Sequence, residues 1–172
     1  MRTAFLAVAG FVLSTLLLSA PPIWAAAPKV QQTTQTGVYK TAIDRGVSLE
    51  EAAESMRLRA NALNLQLVAE LPLSKQVEAV TGKPQRTVTI FQFCDAVTAK
   101  ELIDMSMDLA VYMPCRIALI EDANGQGWLI MTDIDVDMVA KEKKLQKELT
   151  ARIKSVRDAL IEIMQAGAKG EL

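Results

Sequence analysis

Apolar and polar positions follow short, regular periods along most of the chain from residue 38 onward, and the periods assign its elements. Val38 to Ile43 alternates, with Val38, Lys40 and Ala42 on one face and Tyr39, Thr41 and Ile43 on the other, as a short strand does. Ser48 and Glu51 then fit a capping box, in which each side chain satisfies a first-turn backbone N–H. Leu49, Ala52, Ala53, Met56, Ala60 and Leu63 recur at spacings of three and four, the buried stripe of a helix ending near Asn64. Leu65 to Leu71 returns to strict alternation. Ser74 to Thr81 reads as a short helix capped by Ser74 and stopped by Gly82. Thr87 to Phe93 is the next strand, with Val88 and Ile90 opposite Phe91 and Phe93; Cys94 continues the Val88 side.

Asp95 caps a predicted helix from Val97 to about Asp108. Cys115 to Glu121, the Asn124-Gly125 turn and Trp128 to Met131 form a hairpin. Asp133 to Lys144 is a charged transition with room for a turn of helix. Leu145 to Ala166 is the longest helix, its buried stripe running through Leu149, Ile153, Val156, Leu160, Ile163 and Met164, with Gly167 as its terminator. Strands therefore cluster instead of alternating strictly with helices. The predicted fold is α+β, an antiparallel sheet covered by helices: strand, helix, four strands, helix, with an extra helix between the third and fourth strands. Neighbouring third and fourth strands would bring Cys94 and Cys115 together.

Composition changes the picture at the N-terminus. Arg2 is the only charge before Lys29, and Phe5 to Leu18 is a long apolar run rich in Leu, Val and Ala. Pro21-Pro22 and the small residues through Ala27 complete the pattern of a signal peptide, expected over residues 1–25 with cleavage after Ala25 or Ala26. The alternative is an uncleaved membrane anchor over residues 3–20, since about 20 apolar residues span a bilayer. Residues 26–36 read as a flexible lead-in, and residues 37–172 as one domain. The expected location is thus the periplasm or the secreted fraction. With 19 basic and 20 acidic residues and a net charge of −1, nothing asks for a polyanion, and nucleic acid is not an expected partner.

Export also sets the default for the two cysteines, because paired thiols in an oxidising compartment form disulfides. Cys94 and Cys115 are the expected pair. The other readings are two unpaired core thiols, a redox-active couple, or thiolate ligands to a metal or haem. Arg116 would lower the pKa of a neighbouring thiol. Met105, Met107, Met113 and Met131 add soft donors suited to Cu(I), although methionine at helical spacing more often fills core. The chain has no histidine, which excludes Ser-His-Asp and Cys-His catalysis and counts against zinc, Cu(II) and attached haem; haem or copper is admitted only through the soft donors, none being required. Asp133, Asp135 and Asp137 begin like a calcium loop, but Met138 and Lys144 stand where that loop needs Gly and Glu. They read as a solvated edge, one of them capping the following turn.

The segment FQFCDAVTAKELIDMSMDLAVYMPCRIALIEDANGQGWLIM, with its Pro114-Cys115-Arg116 entrance to the hairpin, resembles the domain-of-unknown-function family numbered 302, and the ending IMQAGAKGEL resembles its exported branch. The resemblance covers Val38 to Leu172. It implies a β-α-β4-α sheet of the TBP-like type, often dimeric, and it implies no reaction. Cys94 is not a constant feature of the family, so the cysteine pair would be a speciality of exported members. The leading expectation is an exported, non-enzymatic binding or accessory module, a homodimer, with a pocket for a small ligand, a haem or a soft metal at Cys94, Met113, Cys115 and Arg116. The alternatives are a thiol–disulfide redox protein using Cys94 and Cys115, and a structural interaction domain stapled by one disulfide.

Overall fold

The computed structural model describes residues 36–171. The predicted leader, anchor and lead-in lie outside the described residues, apart from Thr36, which opens the first strand. In chain order the elements are β1 (Thr36–Ala42), α1 (Leu49–Ala62), β2 (Gln66–Leu71), α2 (Leu73–Thr81), β3 (Val88–Cys94), α3 (Ala96–Met105), a 3-10 helix (Met107–Tyr112), β4 (Cys115–Glu121), β5 (Gly127–Ile134), α4 (Val136–Lys143) and α5 (Lys147–Lys169). The fold is α+β, with one antiparallel five-stranded sheet in the order β1-β5-β4-β3-β2. The first and second strands therefore lie at opposite edges, and α1 carries the chain from one to the other across one sheet face.

The alternation of each strand decides that face. Phe91 and Phe93 of β3, Ile117 and Leu119 of β4, and Leu129 and Met131 of β5 are buried together with Ala52, Ala53, Met56 and Ala60 of α1 and Leu160, Ile163 and Met164 of α5. Burying each large apolar side chain of this set contributes about 1.5–3 kcal/mol. A second, smaller cluster of Leu102, Leu109, Val139 and Leu149 closes the sheet end where β3 and β5 finish and β4 begins.

The local signals act largely as their chemistry dictates. Ser48 and Glu51 form the capping box, with Glu51 N donating to Ser48 Oγ at 3.1 Å and Ser48 N donating to Glu51 Oε2 at 2.8 Å. Asp95 caps α3 by accepting from Val97 and Thr98. Gly125 turns the hairpin at φ 79°, and Asp122 accepts from the N–H groups of Asn124 and Gln126 around it.

Two signals act differently. Ser74 does not cap α2; its hydroxyl turns toward β3 and accepts from Val88 N at 3.2 Å. Gly167 does not terminate α5, which continues to Lys169 and ends on Gly170 in the left-handed region. The residue is glycine because α1 crosses there: a Cβ on Gly167 would stand 2.6 Å from Met56 Cγ and 3.1 Å from the Ala52 carbonyl oxygen.

Candidate functional site

The hairpin entrance follows from the cap of α3 and the end of its helix. Ser106 is extended, Met107–Tyr112 tightens into the 3-10 helix, and Met113, Pro114 and Cys115 lead directly into β4. The Met113–Pro114 peptide is cis. Below this entrance, between the end of the sheet and α5, lies a cavity of about 260 Å³. Its walls are mainly apolar: Val111, Met131, Ile134, Ile153, Val156 and Leu160, with Cys115 among them and Tyr112 supplying a polar group; Arg116 borders it. Arg157 also borders it, but that guanidinium is held by Asp133, with Nε to Oδ1 at 2.6 Å and Nη2 to Oδ2 at 3.0 Å.

The four residues singled out from the sequence divide. Cys115 and Arg116 both line the cavity. Met113 packs instead against the second apolar cluster. Cys94 and Cys115 are both free thiols, so the expected disulfide is not formed. The reason is the pleat. Phe93 pairs directly with Cys115 across β3 and β4, so these two share the helix-covered face. Cys94, the next residue after Phe93, points to the opposite face. The strands neighbour each other as expected, but the two sulfurs belong to different sides of the sheet. Of the soft donors, Cys115 and Met131 line the same cavity, Met113 packs on the second apolar cluster, and Met105 and Met107 are exposed.

Electrostatics separate the thiols further from thiolate chemistry. Burial pushes the Cys115 thiol up to about 11, reinforced by nearby Cys94, and the Arg116 charge offsets only part of this. Burial and the Asp95 carboxylate raise Cys94 too. Both are therefore protonated at neutral pH, the form that neither attacks a disulfide nor ligates a metal.

The three aspartates after β5 are each engaged. Asp133 holds Arg157, Asp135 caps α4 by accepting from Met138 N at 2.9 Å, and Asp137 pairs with Lys154 at 2.6 Å. Among the described residues no group of three or more His, Cys, Asp or Glu side chains could hold a metal ion.

Sequence reasoning missed the α5 wall of the cavity. Ile153, Val156 and Leu160 were legible as a buried stripe, but nothing in a periodic stripe distinguishes a packed side chain from one facing a void. The Asp133–Arg157 pair was equally unmarked, since it joins residues far apart in the chain.

An α+β antiparallel sheet with its helices on one face and a small apolar cavity at the sheet end is the class of protein defined here. The family described as "Domain of unknown function DUF302" matches residues 39–167, and the chain belongs to that family. Among solved structures, a crystal structure of an uncharacterized conserved protein DUF302 from Bacillus stearothermophilus superposes with a TM-score of 0.59 at 12% identity, covering 75% of this chain and 96% of that one. At that identity the likeness concerns the fold alone. No curated protein matches the chain.

Proposed function

We propose that the chain is an exported, non-enzymatic binding module whose ligand is a small, largely apolar, uncharged molecule held in the cavity beside Cys115. The observation that carries this reading is the cavity itself: about 260 Å³, partly open to solvent beside exposed Val111 and lined mainly by aliphatic side chains and a protonated thiol. A dry apolar cavity of ~150 Å³ already accepts a benzene-sized guest. Arg157 adds no free charge to it, because Asp133 neutralises that group, and Tyr112 offers one hydroxyl to orient a polar end of the guest. A ligand of this kind needs no thiolate, so the reading accommodates both free cysteines.

Calorimetric titration with 4-ethylphenol, a neutral probe of suitable size, tests it. Saturable binding is expected for the parent chain, with at least a tenfold loss in Leu160→Trp, whose indole fills the cavity. Equal binding by the parent and a folded Leu160→Trp variant would contradict the proposal.

A further inference from the structure

All the helices that build the two apolar clusters lie on or beside one face of the sheet, and among the described residues no element covers the other. The strand register arranges that open face in rows. Lys40 faces Ile130, Ile130 faces Ala118, and Ala118 faces Ile90. Trp128 faces Ile120, and Ile120 faces Val88. These two rows make an apolar floor across β5, β4 and β3, each of its side chains only half-buried.

The row next to them is different in kind. Gln92 faces Arg116 directly, and Thr132, one residue past the Met131 that faces Ile117, follows on β5. Arg116 and Thr132 are exposed. Among the described residues none of these three side chains makes a hydrogen bond or ion pair, whereas Arg57, Arg59, Arg152 and Arg157 are each ion-paired. The face carries no Asp or Glu in any of these rows. Its other cation, Lys40, is engaged over the Trp128 ring, 3.7 Å from the centroid.

A planar guanidinium beside an amide and a hydroxyl, all with free donors, is suited to bidentate recognition of a carboxylate. From Arg116 to Ile120 the floor extends about 14 Å along β4, at ~3.4 Å per residue. That is the reach of a medium-chain acyl tail. Asp122, which accepts from Trp128 Nε1 at 2.9 Å, stands at the opposite end of the floor, so the free guanidinium at the Arg116 end favours an anionic group there.

We propose that the open sheet face is a second binding site, for an aliphatic carboxylate. Its carboxylate is held by Arg116 with Gln92 and Thr132, and its tail lies over Ala118, Ile90, Ile120 and Val88. This site is distinct from the cavity between the sheet end and α5, although Arg116 and Thr132 border both.

Trp128 reports on it. In the full chain carrying Trp24→Phe, dodecanoate below its micellar concentration should shift Trp128 emission to the blue with saturation. Gln92→Leu should weaken the apparent affinity several-fold, Arg116→Gln and Ile90→Glu at least tenfold, and dodecanol should bind at least tenfold more weakly than dodecanoate. Leu160→Trp, with its added indole corrected for by the unliganded spectrum, should leave dodecanoate affinity unchanged, which separates this site from the cavity. Circular dichroism of each variant establishes that it folds.

The proposal is overturned by an absent emission shift, or by folded Gln92→Leu and Ile90→Glu variants that bind as the parent does. It is also overturned if only vesicles containing phosphatidylglycerol produce the shift, since the occupant is then a membrane surface. Light scattering that gives a dimer which Ile90→Glu turns into a monomer overturns it as well, because a second copy then covers the face.

Discussion

At the scale of single residues, Cys115 governs what chemistry the hairpin entrance supports. Its thiol is held on the helix-covered face among apolar side chains, and burial raises it to about 11. Iodoacetamide at pH 8 should therefore leave Cys115 unmodified in the folded chain and modify both cysteines once the chain is unfolded without reductant, as mass spectrometry of the alkylated peptides would read out. The same burial fixes the sign of an alkaline effect. Between about pH 9 and pH 11 the unfolded chain has lost a proton that the folded chain retains, so stability present below that window falls as pH rises through it. The loss is up to about 2–3 kcal/mol, and urea titrations should show it in the parent chain and a smaller decline in Cys115→Ala. The pleat that divides the cysteines was legible beforehand. Cys94 was assigned to the Val88 side, and the alternation of β4 sets Cys115 with Ile117 and Leu119 against Arg116, Ala118 and Ile120. Strand adjacency brings two cysteines near; only a shared face lets them bond.

At the scale of elements, periodicity located all five strands and the main helices because each presents one apolar face to one core. What it located less well were the positions where tertiary contact overrides a local signal. Ser74 and Gly167 carry cap and stop chemistry, yet one reaches across to Val88 and the other lies beneath α1. The latter makes a quantitative expectation. Gly167→Ala gains about 1 kcal/mol of helix propensity. It also forces a methyl against Met56 Cγ and the backbone of Ala52, an overpacking that costs about 1–3 kcal/mol. Met56 is flexible, but the Ala52 carbonyl and Leu129 leave little room for it to yield. Net destabilisation is expected in a urea midpoint, and an unchanged or raised midpoint would show that α1 and α5 separate freely. The 3-10 helix was hidden for a related reason: Met107 to Tyr112 has no period of its own and is shaped by the link from α3 to the cis-proline entrance.

At the scale of the whole molecule, the sheet has two unlike sides, and the two proposed sites follow from that asymmetry. One face meets α1 and α5 and leaves a void where β4 begins; the other is open, apolar in the middle and cationic at one end. The antiparallel neighbours β3 and β4 were legible from the order of elements. The placement of β1 beside β5 was not, because no local pattern in either strand names its partner across the chain. The cavity beside Cys115 is the central claim, and Met131 is its most direct reporter, being buried, on its wall and easily observed through its methyl group. With carbon-13-labelled methionine methyls and saturating 4-ethylphenol, the Met131 resonance should move while those of exposed Met105 and Met107 stay in place. A Met131 resonance that does not move, or movement confined to Met105 and Met107, would contradict the account.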